Sequence, residues 1–112
     1  MEELEIKIKD WHYARNLIDG STDLVQFGKL LEEVDELYFS LKAKTSPIDD
    51  IGDIIVVLIN LAVRNNLTLE ECMEHAYNDI KDRKGMMISG TFVKEKDLVE
   101  NNGVFSRRPI EE

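Results

Sequence analysis

The feature that most constrains this 112-residue chain is the stretch SPIDDIGDIIVVLINLAVRNN, from Ser46 to Asn66. From Ile51 to Val63 almost every residue is apolar, so a helix here is expected to be buried on most of its sides. Yet Asp50, Asp53, Asn60 and Arg64 run along it. At about 100° per residue these four, with Val57, share a stripe within roughly 80°. A buried carboxylate is costly unless something positive meets it. The stripe is therefore either a solvated edge or half of a site. Acids in a first turn favour the helix dipole, which accounts for Asp49 and covers Asp53 poorly.

The flanking signals divide the chain into helices. Ser46 as N-cap, Pro47 as first helical residue and Asp49 at N3 open this third helix, and Asn65 and Asn66 end it. Upstream, residues from about Leu4 to Asp19 read as a first helix closed by Gly20. Ser21 or Thr22 then caps a long second helix reaching Ala43, with Phe27, Leu30, Leu31, Val34, Leu37, Tyr38 and Leu41 as its apolar stripe. Thr68 as N-cap and Glu71 at N3 start a fourth helix that Gly85 stops. MMISGTFVKEKD reads as a loop or a short extended piece, and NNGVFSRRPIEE as a tail. The expected class is all-α, one domain over residues 1–98 with a C-terminal tail over 99–112.

A net charge of −9 argues against general binding to nucleic acid or anionic membrane, both of which need basic surface. It leaves small phosphorylated ligands open, because a metal inverts the local charge. With 43% hydrophobic and 33% charged residues in regular patterns the chain reads as globular. The single Cys72 excludes an intrachain disulfide, and the N-terminus MEELEIKIKDWHY has no continuous apolar core. The cytoplasm is the expected compartment.

Chemistry concentrates on the second and third helices. Gln26, Lys29, Glu33, Glu36 and Ser40 form a narrow stripe beside the apolar face, while Glu32 and Asp35 point further toward water. Glu33 and Glu36 are i, i+3 neighbours about 4.5 Å apart along the axis, as are Asp50 and Asp53. Thirteen residues separate Glu36 from Asp50, so the two pairs can face each other across an antiparallel seam. Four converging carboxylates repel, and a hard divalent cation resolves that repulsion. Oxygen ligands without His or Cys favour magnesium or manganese over zinc. A di-iron bundle is excluded, because neither His12 nor His75 has Glu three residues before it.

EEVDE (Glu32 to Glu36) followed by DIGD (Asp50 to Asp53) resembles the EExxE and ExxD motifs of the all-α nucleoside triphosphate pyrophosphohydrolases. This is the MazG-like superfamily, which includes dimeric dUTPases and phosphoribosyl-ATP pyrophosphohydrolase. The resemblance runs from about Gln26 through KLLEEVDEL and DDIGDIIVVLINLA to AYNDIKDRKGMMISGTFVKEKD, which looks like the C-terminal motif of phage-type members. The second motif usually begins with Glu in the family; here Asp50 is one methylene shorter. The resemblance implies Glu33, Glu36, Asp50 and Asp53 as ligands to Mg2+ (or Mn2+), and a polar, basic stretch, Asn78, Lys81 and Arg83, for the triphosphate.

Lys29, one turn before Glu33, is a further phosphate candidate. Glu33 or Glu36 is the candidate proton acceptor. Trp11, His12 and Tyr13 offer either core packing or a base-stacking surface. The expected activity is conversion of a (d)NTP and water to (d)NMP and pyrophosphate, and the expected fold is a four-helix MazG-like core completed by dimerisation. About three long helices cannot cover IIVVLINLAV, so a homodimer or dimer of dimers is expected. The competing expectations are a helical interaction protein of the same fold without turnover, or a nucleotide-specific relative of the dUTPase kind.

Overall fold

The computed structural model describes residues 2–109. Its elements are helices α1 (Glu2–Ala14), α2 (Asp23–Ala43), α3 (Ile48–Arg64) and α4 (Leu69–Ile80), strands β1 (Gly85–Ile88) and β2 (Thr91–Lys94), a 3₁₀ turn at Glu95–Asp97, then β3 (Leu98–Asn101) and β4 (Val104–Arg107). The chain is mostly helical, with two small antiparallel hairpins, one where a loop or a short extended piece is expected and one where a tail is expected. It divides into two compact units, Met1–Met73 and Glu74–Glu112.

In the first unit α3 is the central helix, packed by α2 and by α1. Thr22 caps α2 by accepting from the Val25 amide (3.2 Å), and Thr68 caps α4 by accepting from the Glu71 amide (3.0 Å). Both are the caps that the sequence predicts. The Glu5 side chain accepts from the Leu69 amide, so α1 holds the first turn of α4 as well.

Two boundaries differ from expectation. The first helix stops at Ala14 rather than Asp19, because Asn16 takes a left-handed conformation (φ 57°) and the chain turns there. Pro47 rather than Ser46 caps α3; Ser46 Oγ only reaches the Ile48 amide at 3.4 Å.

Toward its C-terminal end the polar residues of α3, Asn60 and Arg64, form a seam, whereas Asp53 nearer its start is exposed. Asn60 is 0% exposed; its Nδ2 donates to the Leu17 carbonyl (3.0 Å) and to His12 Nδ1 (3.3 Å). His12, also buried, donates from Nε2 to the Val56 carbonyl at 2.9 Å. Arg64 spreads its guanidinium over the α1–α2 turn: Nη2 donates to Ser21 O (2.6 Å), Nη1 to the Leu17 and Ile18 carbonyls, and Nε to Asp23 Oδ1 (3.0 Å). A turn without regular secondary structure leaves carbonyls that must find donors. Here α3 supplies them.

α2 faces α3 with the other side of its amphipathic pattern. The residues it covers are Gln26, Leu30, Glu33, Leu37 and Ser40. The predicted apolar stripe keeps only Leu30 and Leu37 on that face; Phe27, Leu31, Val34, Tyr38 and Leu41 are exposed. Leu24, at 84% exposed, and Ile48, at 76%, extend this apolar surface.

In the second unit β1 pairs with β2 from Gly85 opposite Lys94 to Ile88 opposite Thr91, and β3 with β4 from Leu98 opposite Arg107 to Asn101 opposite Val104. Each hairpin turns on two residues of positive φ, Ser89–Gly90 and Asn102–Gly103, the conformation of type I′ turns. Val93 is buried, and Met86, Ile88, Leu98 and Val99 are half-buried. Residues 110–112 of the expected tail lie outside the described residues; 99–109 of it are mostly β-hairpin.

Replacing Asn60 by leucine keeps the branched shape but leaves His12 Nδ1 without its donor and the Leu17 carbonyl with Arg64 alone. The expected loss is about 2 kcal/mol, read from a lower urea midpoint at unchanged slope. A loss under about 0.5 kcal/mol would show that the seam does not hold the turn.

Candidate metal centre

Helical spacing places Glu33 and Glu36 on one side of α2, and α3 runs beside it with Asp53 opposite. One carboxylate oxygen from each of Glu33, Glu36 and Asp53 lies within 4.8 Å of the others. The three come from the motifs that the sequence singles out. Asp50, the fourth predicted ligand, is half-buried and falls outside this group, in keeping with a side chain one methylene shorter than the expected Glu. Its charge still reaches the cluster and favours the protonated form of Glu36.

Glu33 is the unusual member. It is only 6% exposed, and its Oε2 is buried with no hydrogen-bond partner. Its Oε1 meets Lys29 Nζ at 3.2 Å, and the same Nζ reaches Glu32 Oε2 at 3.3 Å. Lys29 is held above its ordinary pKa by these hydrogen bonds, Glu33 first and Glu32 second. Glu36 is likewise raised, first because its protonated form hydrogen-bonds Glu33 and then by repulsion from the Glu33 charge. With both glutamates ionised no proton remains for that bond, and Glu33 Oε2 is left bare. A shared proton or a cation relieves the crowding.

The donor set tests which cation fits. All three groups offer hard oxygen, and one is buried and otherwise unsatisfied. His12 lines the neighbouring cavity, but both its ring nitrogens are engaged by Val56 and Asn60. An oxygen-only set of this kind suits a hard divalent cation.

Beside the cluster is a cavity of about 390 Å³ between α1, α2 and α3. Trp11, Leu17 and Val56 give it apolar walls, and Gln26, Lys29 and Glu33 give it polar ones. Trp11 is 44% exposed and carries the Arg15 guanidinium 4.5 Å from its ring centroid, so of its two expected roles core packing is not the one observed. Gln26 donates from Nε2 to Ser21 Oγ (3.0 Å), which leaves its carbonyl oxygen free.

The remaining predicted substrate residues belong to the second compact unit. Asn78 is exposed on α4, Lys81 is exposed just after it, and Arg83 pairs with Asp79 at 2.8 Å. Lys29 is the predicted phosphate-binding residue that shares a unit with the carboxylates. His12 and Gln26 carry little sequence signal of their own. Gln26 shares the stripe of Glu33, and that register is the one trace from which its position can be inferred.

No protein-family profile matches the sequence, and no solved structure matches it. Over 70 residues the chain is 40% identical to an uncharacterized 18.2 kDa protein in the rep-hol intergenic region of Haemophilus phage HP1 (strain HP1c1). That match takes in 60% of this chain and 42% of the phage protein, so the chain spans less than half the length of the curated relative.

The raised Glu36 pKa predicts a pH dependence of stability in the absence of metal. A carboxyl whose folded pKa lies above its unfolded value stabilises the fold fully below the unfolded pKa, and that contribution is lost as pH rises through the folded pKa. Melting temperatures of the metal-free protein should therefore fall, relative to Glu36→Gln, as pH rises from the ordinary glutamate range through the raised pKa of Glu36. Parallel pH profiles for the two proteins would contradict the coupling between Glu36 and Glu33.

Proposed function

We propose that the chain is a magnesium-dependent nucleoside triphosphate pyrophosphohydrolase that converts a (d)NTP and water to (d)NMP and pyrophosphate. The observation that carries this reading is the buried Glu33 carboxylate, which keeps one oxygen without a partner, groups with Glu36 and Asp53 and lines a cavity of about 390 Å³. Glu33, Glu36 and Asp53 would hold Mg2+ or Mn2+, with Asp50 adding charge from further out. When bound, the cation supplies positive charge to the phosphate chain and acidifies water. The chain's own residues do the rest. Glu36, exposed beside the cluster, accepts the proton of the attacking water, and Glu33 holds its position from the buried side. Lys29 offsets charge on the phosphates. The apolar cavity takes the base and sugar, with Trp11 as its aromatic wall.

The likeness of EEVDE and DIGD to the MazG-like superfamily supports the same assignment, and so does the oxygen-only donor set. The exposed apolar surface from Leu24 to Ile48 supports a homodimer or dimer of dimers, since a contiguous patch of this kind is rare on a monomer. The partners we assign are thus a nucleoside triphosphate and further copies of the chain, with no nucleic acid and no membrane. Among the described residues no single helix is long and apolar enough to cross a membrane, which agrees with a cytoplasmic assignment.

Pyrophosphate release from a panel of NTPs and dNTPs tests the activity. Turnover is expected with Mg2+ or Mn2+ and to be abolished by chelation. Asp53→Asn, nearly isosteric, should keep the fold and lower turnover by about a hundredfold or more, on the order of 3 kcal/mol of barrier. A panel with no metal-dependent pyrophosphate release would instead support the non-catalytic interaction protein.

Assembly is tested separately. Sedimentation at micromolar concentration should give a mass at least twice that of the 12.9 kDa chain. A single-chain mass would contradict the dimer.

A further inference from the structure

The carboxylate cluster already has a cation. Glu33, Glu36 and Asp53 are close neighbours, and the charge that meets them is the ammonium of Lys29, 3.2 Å from Glu33 and 3.3 Å from the exposed Glu32. It is the one Lys or Arg in ion-pair contact with this cluster among the described residues. Its side chain is about half exposed, whereas that of Glu33 is buried, so the lysine can leave and the glutamate cannot. A lysine is a compact charge on a flexible four-carbon stem, well suited to exchange partners. Lys29 also lines the cavity beside the cluster, so a lysine released from Glu33 stays within reach of whatever the cavity holds.

We propose that Lys29 is a resident counter-ion of the cluster, which a divalent cation displaces from Glu33 and which then pairs with the phosphate chain of the nucleotide. The inference rests on the metal-dependent reading above and adds an order of events to it. A divalent ion among Glu33, Glu36 and Asp53 repels an ammonium 3.2 Å from one of those carboxylates. Metal entry therefore releases a positive charge into the cavity, and a triphosphate collects it. Since coupling between two ligands is reciprocal, nucleotide binding draws Lys29 away and strengthens metal binding. Without its lysine, the cluster carries uncompensated charge when empty and binds the cation without a competitor.

Mn2+ binding to nucleotide-free protein, measured by electron paramagnetic resonance of the free ion, tests the exchange. Lys29→Met should bind Mn2+ severalfold more tightly than wild type, with Lys29→Arg close to wild type. Lys29→Met should also melt earlier than wild type without metal, the gap closing as Mn2+ is added. With Mg2+ present it should bind a non-hydrolysable triphosphate analogue more weakly. Equal or weaker Mn2+ binding by Lys29→Met would overturn the proposal and make Lys29 a support for Glu33. Asp53→Asn on the same titration keeps the two readings apart. If wild type binds Mn2+ and Asp53→Asn does not, the metal site stands whatever Lys29 does. If wild type binds none, the metal site fails and the exchange fails with it.

Discussion

The contact on which the first unit depends is the one between the polar seam of α3 and the turn that joins α1 to α2. Arg64 gathers three carbonyls of that turn and the Asp23 carboxylate, and Asn60 reaches Leu17 and His12 from a fully buried position. Because Asp23 is the first residue of α2, the same guanidinium sets where α2 begins and how it turns about its axis. A helix cannot rotate locally, so that choice places Glu33 three turns later against α3. The carboxylate cluster is thus downstream of a hydrogen-bonded joint that carries none of its chemistry.

One consequence is an inverted division of labour on α2. A surface helix normally buries its apolar stripe and exposes its polar one. Here Gln26, Glu33 and Ser40 face inward with Leu30 and Leu37, and the aromatic and aliphatic residues at 27, 31, 34, 38 and 41 face outward. Turning the helix to bury that stripe would carry Glu33 away from Asp53. The arrangement keeps the cluster together at the cost of exposed apolar surface. The homodimer proposed above would cover that surface.

Much of this was legible from residue spacing. Thr22 and Thr68 cap as their patterns imply, and Glu33, Glu36 and Asp53 meet because helical periodicity alone puts them on facing sides. Asp50 shows the limit, since spacing reports direction and not side-chain reach. The first helix was harder: Gly20 is the conspicuous stop, yet Asn16 ends the helix by entering the left-handed region. Asn60 stands out on its apolar helix, but its partners and those of His12 do not, because a polar residue in a buried seam is defined by groups more than 40 positions away. The hairpins left a stronger trace than the expected tail allowed. Asn102–Gly103 between Leu98–Asn101 and Val104–Arg107 is a strong local signal for a two-residue type I′ turn, and Ser89–Gly90 carries a weaker form of it. Their short, mostly exposed strands lack the clean alternation that would have made the pattern prominent.

The central claim is that three carboxylates on two helices hold a divalent cation for work on a triphosphate. Crystals grown with Mn2+ and a non-hydrolysable triphosphate test it most directly, through anomalous scattering at the manganese edge. The account predicts a peak among Glu33, Glu36 and Asp53, with the phosphate chain adjoining it. A protein that takes up the nucleotide while that position stays without a peak, or whose manganese lies elsewhere, would contradict it.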